Sequence, residues 1–317
     1  YIDQLCDEYK GQFEPCDMPY GESEKERKAF DNMEPSGEKM EKGLYLQLMG
    51  KLVWPSSMVR LDISFTVNKL CSKASDPETL DYNRGLRVIG YLSTTKRLGI
   101  TYGGRIRIPM GLKEHPVGLV ESSGLYCVHD NSFGTTARPM GGYVVMFCNG
   151  AVDWSAGALK IVPGSVHEAE SAQASRAAKA TTYARMLLRN NGRKVVGPTP
   201  CFGDNKANFT SSQQVGSTAR TRYYERAVLL FKRAVLLRIL STLHVGTNDM
   251  VADIFTKATD KPTFIRMRNM MMNVHGALRV ALEKSFRAAT GSLRRLLGSV
   301  YSTVYDALVI DDPVQDG

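Results

Sequence analysis

The chain lacks any run approaching the ~18 consecutive apolar residues that a bilayer crossing needs, so no stable membrane insertion is expected. It also lacks a CxxC pair. Its six cysteines, Cys6, Cys16, Cys71, Cys127, Cys148 and Cys201, are scattered in a way that suits reduced packing thiols better than a disulfide framework or a zinc site. No internal repeat of fixed period is present, which excludes a solenoid or propeller array. Neither an initiator methionine nor a basic n-region stands at Tyr1-Ile2-Asp3, and the chain reads as an intracellular piece of something longer, cytoplasmic and possibly nuclear.

What is present is enough to fold. With 317 residues and 43% hydrophobic content, the chain can bury a real core, and disorder throughout is excluded. Its net charge of +9 is unevenly spread. Residues 1–43 hold twelve acidic against six basic residues, so the other 274 residues carry +15. A basic body of that kind points to a polyanionic partner, most simply nucleic acid.

The first block, residues 1–43, reads as a short helix at 2–9 followed by a solvated acidic linker broken by Pro15, Pro19 and Pro35. From Leu44 to Leu98 apolar residues recur at helical spacing, as in Ile63, Val67 and Leu70, then Leu86, Ile89 and Leu92. Period two takes over at 125–129 and 142–147. Asn149-Gly150 supplies a turn, and 151–154 and 159–162 supply further strand material. An alanine-rich helix is predicted over 166–190, a short strand over 200–203, a helix over 218–237, a strand over 239–245 and a helix over 249–257. The fold class is therefore α/β, in the α+β sense of a mixed sheet with helices on its faces.

Such a fold gathers carboxylates at the carboxyl edge of its sheet. Asp130 ends the first strand, Glu170 sits in the alanine-rich helix, Asp204 ends the fourth strand, and Asp253 lies in the helix after the fifth. Four convergent carboxylates repel one another unless divalent cations lie between them, and hard oxygen ligands select Mg²⁺ or Mn²⁺. Two such ions ~3.5–4 Å apart hydrolyse phosphodiesters. The chain has 32 acidic residues, however, so the same four also read as solvated carboxylates and helix caps.

Seven segments carry a resemblance: HDNSFG at 129–134, RPMGGYVV at 138–145, AVDWSAGALKIV at 151–162, HEAESA at 167–172, GPTPCFGDNKA at 197–207, ARTRYYERA at 219–227 and NDMVADIFTKA at 248–258. In order and interval they resemble the RNase H domain of copia-type retrotransposon Pol polyproteins. LMGKLVWPSSMVRLDISFTVNKL at 48–70 and LRVIGYLSTTKRLGITYGG at 86–104 look like the end of the reverse transcriptase in that polyprotein, and YIDQLCDEY at 1–9 is similar to the stretch after its palm. The likeness covers roughly residues 1–262.

The resemblance implies an RNase H-like fold preceded by a small helical reverse-transcriptase remnant. Residues 1–43 would be a linker from a missing palm, 44–115 a thumb- or connection-like segment, 116–262 the RNase H-like domain and 263–317 a basic amphipathic tail. It implies an endonuclease that uses two Mg²⁺, or Mn²⁺, to hydrolyse the RNA strand of RNA:DNA hybrids during reverse transcription. Its partners would be the hybrid and the upstream reverse-transcriptase palm and fingers. Asp130, Glu170, Asp204 and Asp253 match the family's four catalytic metal ligands. Glu170 is preferred to Glu168, which falls near the helix N-terminus and helps it there.

The sequence departs from the family's pattern in places. The family has two Asp residues one position apart near 130, whereas Val128-His129-Asp130-Asn131 stands here, and an alternative alignment puts Val128 at the catalytic position. Leu61 replaces a usual proline, and His167 a small hydroxyl residue. No Tyr-x-Asp-Asp turn occurs in residues 1–120, so no polymerase site is expected in this chain. No histidine matches the mobile-loop histidine of cellular RNases H; His129 and His244 read as packing residues. Arg220, Arg222, Arg226, Lys232 and Arg233 are expected to bind phosphates along one helix, or to form its solvated basic face. The alternative function is a decayed or co-opted fragment that only binds nucleic acid or serves a structural role.

Overall fold

The computed structural model of the protein describes residues 1–103, 124–132, 139–204 and 225–274, without the side chains of 225–228 and 248. The N-terminal part is helical: α1 (Ile2–Glu8), α2 (Glu24–Asp31), α3 (Lys42–Met58), a 3₁₀ turn (Leu61–Ile63), α4 (Ser64–Cys71) and α5 (Thr79–Thr94). Strands β1 (Leu125–Asn131), β2 (Met140–Phe147) and β3 (Gly150–Ala158) precede α6 (Val166–Asn190) and β4 (Thr199–Gly203). Helix α7 (Glu225–Leu236), β5 (Leu240–His244), two 3₁₀ turns (Thr247–Asp249 and Val251–Phe255) and α8 (Lys261–Met272) follow.

The five strands form one mixed sheet in the order β3-β2-β1-β4-β5, so the α/β expectation holds. β1, β2 and β3 are joined antiparallel, whereas β4 lies parallel to both β1 and β5. The β2–β3 turn is the two-residue loop Cys148-Asn149, both at positive φ (49° and 68°), which is the backbone a tight right-twisting hairpin requires. β3 stops at Ala158. Of residues 159–162, expected as strand, only Leu159 makes one more backbone bond, its N–H donating to the Pro139 carbonyl at 2.9 Å, and Pro163 just beyond cannot donate to a ladder.

Alternation along the strands gives the sheet two apolar faces. Leu125, Cys127, Val145 and Cys201 face α6 and α7 through Ala174, Ala177, Ala178, Phe231 and Ala234. Small alanines let α6 lie close on the sheet. Tyr126, Val128, Val144, Met146 and Phe202 face the other way, into a cluster shared with α3, α4, α5 and α8. Trp154 on β3 ties these layers together: its indole N–H donates to the Ser56 carbonyl at 2.9 Å.

Residues 1–43 are not a solvated linker. Leu5, Cys6, Tyr9, Met18, Tyr20 and Phe30 are buried in the main core, and α2 forms there, capped by a reciprocal Ser23–Glu26 box. The charge run that suggested solvation is only the outer face of that helix. Of the basic amphipathic tail expected over 263–317, only its start is described: helix α8 ends at Met272, where Asn273 adopts left-handed geometry (φ 51°) and its side-chain amide donates to the Thr101 carbonyl. Phe264, Met267, Met271 and Met272 of α8 are core residues, so α8 docks on the body; residues 275–317 lie outside the described part.

Candidate metal centre at the sheet edge

Parallel pairing of β1 with β4 sets Cys127 opposite Cys201 and Val128 opposite Phe202. Two residues further, the same register brings Asp130 level with Asp204, at the carboxyl ends of adjacent parallel strands. Glu170 arrives from α6. It heads the buried stripe Glu170, Ala174, Ala177, Thr181 and Arg185, whose spacing of three and four residues aims it at the sheet. Glu168 does something else: its amide N–H is capped by Ser165 Oγ, and its carboxylate accepts from the Gly164 amide at 2.8 Å.

Asp130, Glu170 and Asp204 each offer a carboxylate oxygen, and these atoms lie within 4.8 Å of one another. Asp130 and Glu170 are buried, and Asp204 is the outermost of the three. Val128 sits two residues deeper, buried in the apolar core, so it is Asp130 that reaches the cluster. Burial pushes the Asp130 carboxyl up to about 8, and the negative charges of Asp253 and Asp204 push the same way. Burial likewise raises Glu170 to about 9, reinforced by Asp130 and Asp204. Ionised together, these groups strongly disfavour one another unless a cation intervenes.

Asp253 is beside this trio but outside it. The expected helix over 249–257 is instead a pair of short 3₁₀ turns, and Asp253 lies in the second. Its Oδ2 is paired with Lys257 Nζ at 2.7 Å, and it shares a hydrogen bond with Asp130. Burial is the main reason its carboxyl is raised.

The placement of this turn explains residues whose chemistry the sequence did not advertise. A Cβ at Gly142, the β2 partner of Asp130, would run into Phe255, and one at Gly141, on the opposite face, would run into Gln173 of α6. The glycine pair of RPMGGYVV thus lets both neighbours of the cluster approach the sheet. Phe255 docked there puts Thr256 Oγ1 where it donates to Asp130 Oδ2 at 2.6 Å. From the supposed linker, Asp31 accepts from the Ala258 amide at 3.1 Å and Tyr20 donates to the Thr259 carbonyl at 3.1 Å. Thr256 and Lys257 were overlooked because ADIFTK was read only for its aspartate.

His129 is buried on the opposite face, edge-on to Phe231 at 6.0 Å, and burial drives its imidazole down to about 4, so it does not serve the cluster as a base. His244 ends β5. Of the expected phosphate-binding residues, Arg220 and Arg222 lie outside the described residues, as does the Arg226 side chain. Lys232 is buried and Arg233 exposed, so these two do not share one open basic face. Among the described residues, no helix is long and apolar enough to cross a membrane.

No protein-family model matches the chain, and no curated protein is similar to it. The function therefore rests on the residues themselves.

Proposed function

We propose that the chain is the C-terminal part of a copia-type retrotransposon Pol polyprotein, and that its sheet carries an RNase H-like site for metal-dependent hydrolysis of the RNA strand in RNA:DNA hybrids. One observation carries this reading. Three carboxylates far apart in sequence, Asp130, Glu170 and Asp204, converge at the carboxyl edge of a mixed sheet, and they are ligand positions that the motif resemblance names.

The donor set fits a hard divalent cation: it is all carboxylate oxygen, and two of its members are buried without a cationic side chain among the three. Asp130, Glu170 and Asp204 would hold Mg²⁺ or Mn²⁺, which when bound stabilises negative charge on a phosphodiester and activates water. The protein's own part is positioning. Thr256 fixes the Asp130 carboxylate, the α6 stripe fixes Glu170, and Asp204, nearest to solvent, stands where a nucleic-acid backbone arrives. An RNA:DNA hybrid would be selected by its shape and 2′-OH groups, with sequence largely unread.

The test is cleavage of an end-labelled hybrid with Mg²⁺ by the whole chain and by Asp204→Asn. Asp204 is the least buried ligand, so this change leaves the core intact. Metal-dependent cleavage by the wild type that falls to background in the variant is expected. Cleavage that is absent, or indifferent to the substitution, overturns the nuclease reading; hybrid binding without cleavage favours the decayed, binding-only alternative.

A further inference from the structure

Resting on that metal-dependent reading, we propose that Lys257 supplies a fixed positive charge in place of a second metal ion, so that this site takes one divalent cation. The residues divide accordingly. Asp130, Glu170 and Asp204 bring their oxygens within 4.8 Å of one another, whereas Asp253 joins the cluster only through its hydrogen bond with Asp130. Its carboxylate is engaged by the Lys257 ammonium at 2.7 Å. A second ion held by Asp253 would have to break that pair.

The pair is built into the local backbone. Asp253 and Lys257 are four residues apart, and the Lys257 amide N–H also donates to the Asp253 carbonyl at 3.1 Å, closing one turn. Gly142 seats Phe255, and the Asp31 and Tyr20 contacts hold residues 258 and 259, so the turn is anchored on both sides of Lys257. The ammonium acts on Asp130 and Asp204 as well as on Asp253.

Charge counting gives the same division. Four ionised carboxylates with one divalent ion and one ammonium leave a single net negative charge, against zero with two ions and no ammonium. Lys257 thus supplies half of the charge that a second ion would bring, and it does so from the rim. Its side chain is 46% exposed, so the ammonium is open to solvent at the rim of the cluster, as is the least buried ligand, Asp204.

The experiment counts ions on the full 317-residue chain by titration with Mn²⁺ alone, reading free Mn²⁺ by electron paramagnetic resonance and folding by circular dichroism. One ion per wild-type chain is expected, with one in Lys257→Arg, two in Lys257→Met, and a return to one in Lys257→Met combined with Asp253→Asn. Two ions on the wild type, or one on a folded Lys257→Met chain, overturns the proposal. If Lys257→Met does not fold, the wild-type and Lys257→Arg counts still decide, since two ions on either is fatal to it. The nuclease reading fails separately: one bound ion without hybrid cleavage sinks that reading and leaves the role of Lys257 standing, two ions with cleavage does the reverse, and no bound ion sinks both.

Discussion

In the helical layer Asp62 is buried at least as deeply as Asp130 is at the sheet edge, yet the two carboxylates are held in opposite states. Burial pushes both upward. At Asp62 the effect is outweighed by the Arg60 guanidinium, which grips it with two hydrogen bonds of 3.0 and 2.8 Å, and by the Tyr91 hydroxyl donating at 2.5 Å; the carboxyl ends below its ordinary 3.8. Arg268 of α8 donates to the same Tyr91 oxygen at 3.0 Å, and Arg60 also bonds the Thr95 carbonyl, so this network staples α5 to α8 and closes the 3₁₀ turn. At Asp130 the protein supplies one hydroxyl and, at the margin, Lys257, while setting three other carboxylates beside it, Glu170, Asp204 and Asp253. A protein that fully compensates one buried acid and leaves another short of positive charge is marking the second as a place for something that arrives.

The sharpest way to break that comparison is to remove compensation where it is complete. Asp62→Ala strands a fully buried Arg60 and is expected to destabilise the chain by about 3–5 kcal/mol in urea unfolding. Because Asp62 titrates below its unfolded value, its stabilisation is present above pH ~4 and is lost only as pH falls through the lower folded value. Any fraction of Asp62→Ala that still folds should bind Mn²⁺ as the wild type does. Lost ion binding in folded protein would mean that the two clusters are not independent.

The second prediction relieves the uncompensated cluster. Asp130 and Glu170 bind a proton more tightly folded than unfolded, at about 8 against 3.8 and about 9 against 4.5. The folded state therefore carries the extra protons between those limits, and the metal-free chain should lose stability as pH rises through that window. Asp130→Asn removes one charge from the trio and should stabilise the metal-free chain at pH 8 by roughly 1–3 kcal/mol, with a shallower decline. Added Mg²⁺ should stabilise the wild type at pH 8 and do little for the variant. A wild-type stability that is flat from pH 5 to 9 without metal would show that the cluster is already neutralised by the protein.

Much of the fold was legible because it follows from period and punctuation. Alternation at 125–129 and 142–147 and the alanine-rich run became the expected elements, and the turn expected at Asn149-Gly150 formed one residue earlier, at Cys148-Asn149. Spacing only nominated Asp130, Glu170 and Asp204 among 32 acidic residues, and the motif resemblance singled them out; the structure brings their carboxylates together. What was not legible depends on tertiary contact. The charged run at 22–28 looks solvated from composition alone, yet only one face of α2 is wet, and Phe30 on its other face is core. The segment 249–257 has a helix-like composition, but seating Phe255 against Gly142 and Thr256 against Asp130 goes with a tighter turn, and that turn pairs Asp253 with Lys257 while leaving it hydrogen-bonded to Asp130. The buried Arg60-Asp62 pair left no signal either, because two charged residues in sequence read as surface until their neighbours are known.

The smallest effect tests how finely the cluster is tuned. Thr256 Oγ1 is the one hydroxyl that donates to Asp130 among the described residues, and it works against the burial that raises that carboxyl. Thr256→Val keeps the volume and the β-branch while deleting the donor, so it should cost about 1 kcal/mol at pH 8, where Asp130 is partly ionised. Thr256→Ser restores the donor and should recover most of it. Because the lost bond leaves Asp130 more in need of a cation, Mg²⁺ should narrow the gap between Val and wild type at that pH. If the gap instead widens with Mg²⁺, the hydroxyl is orienting the carboxylate for the ion as well as satisfying it, and Thr256 belongs with the groups that shape the bound site.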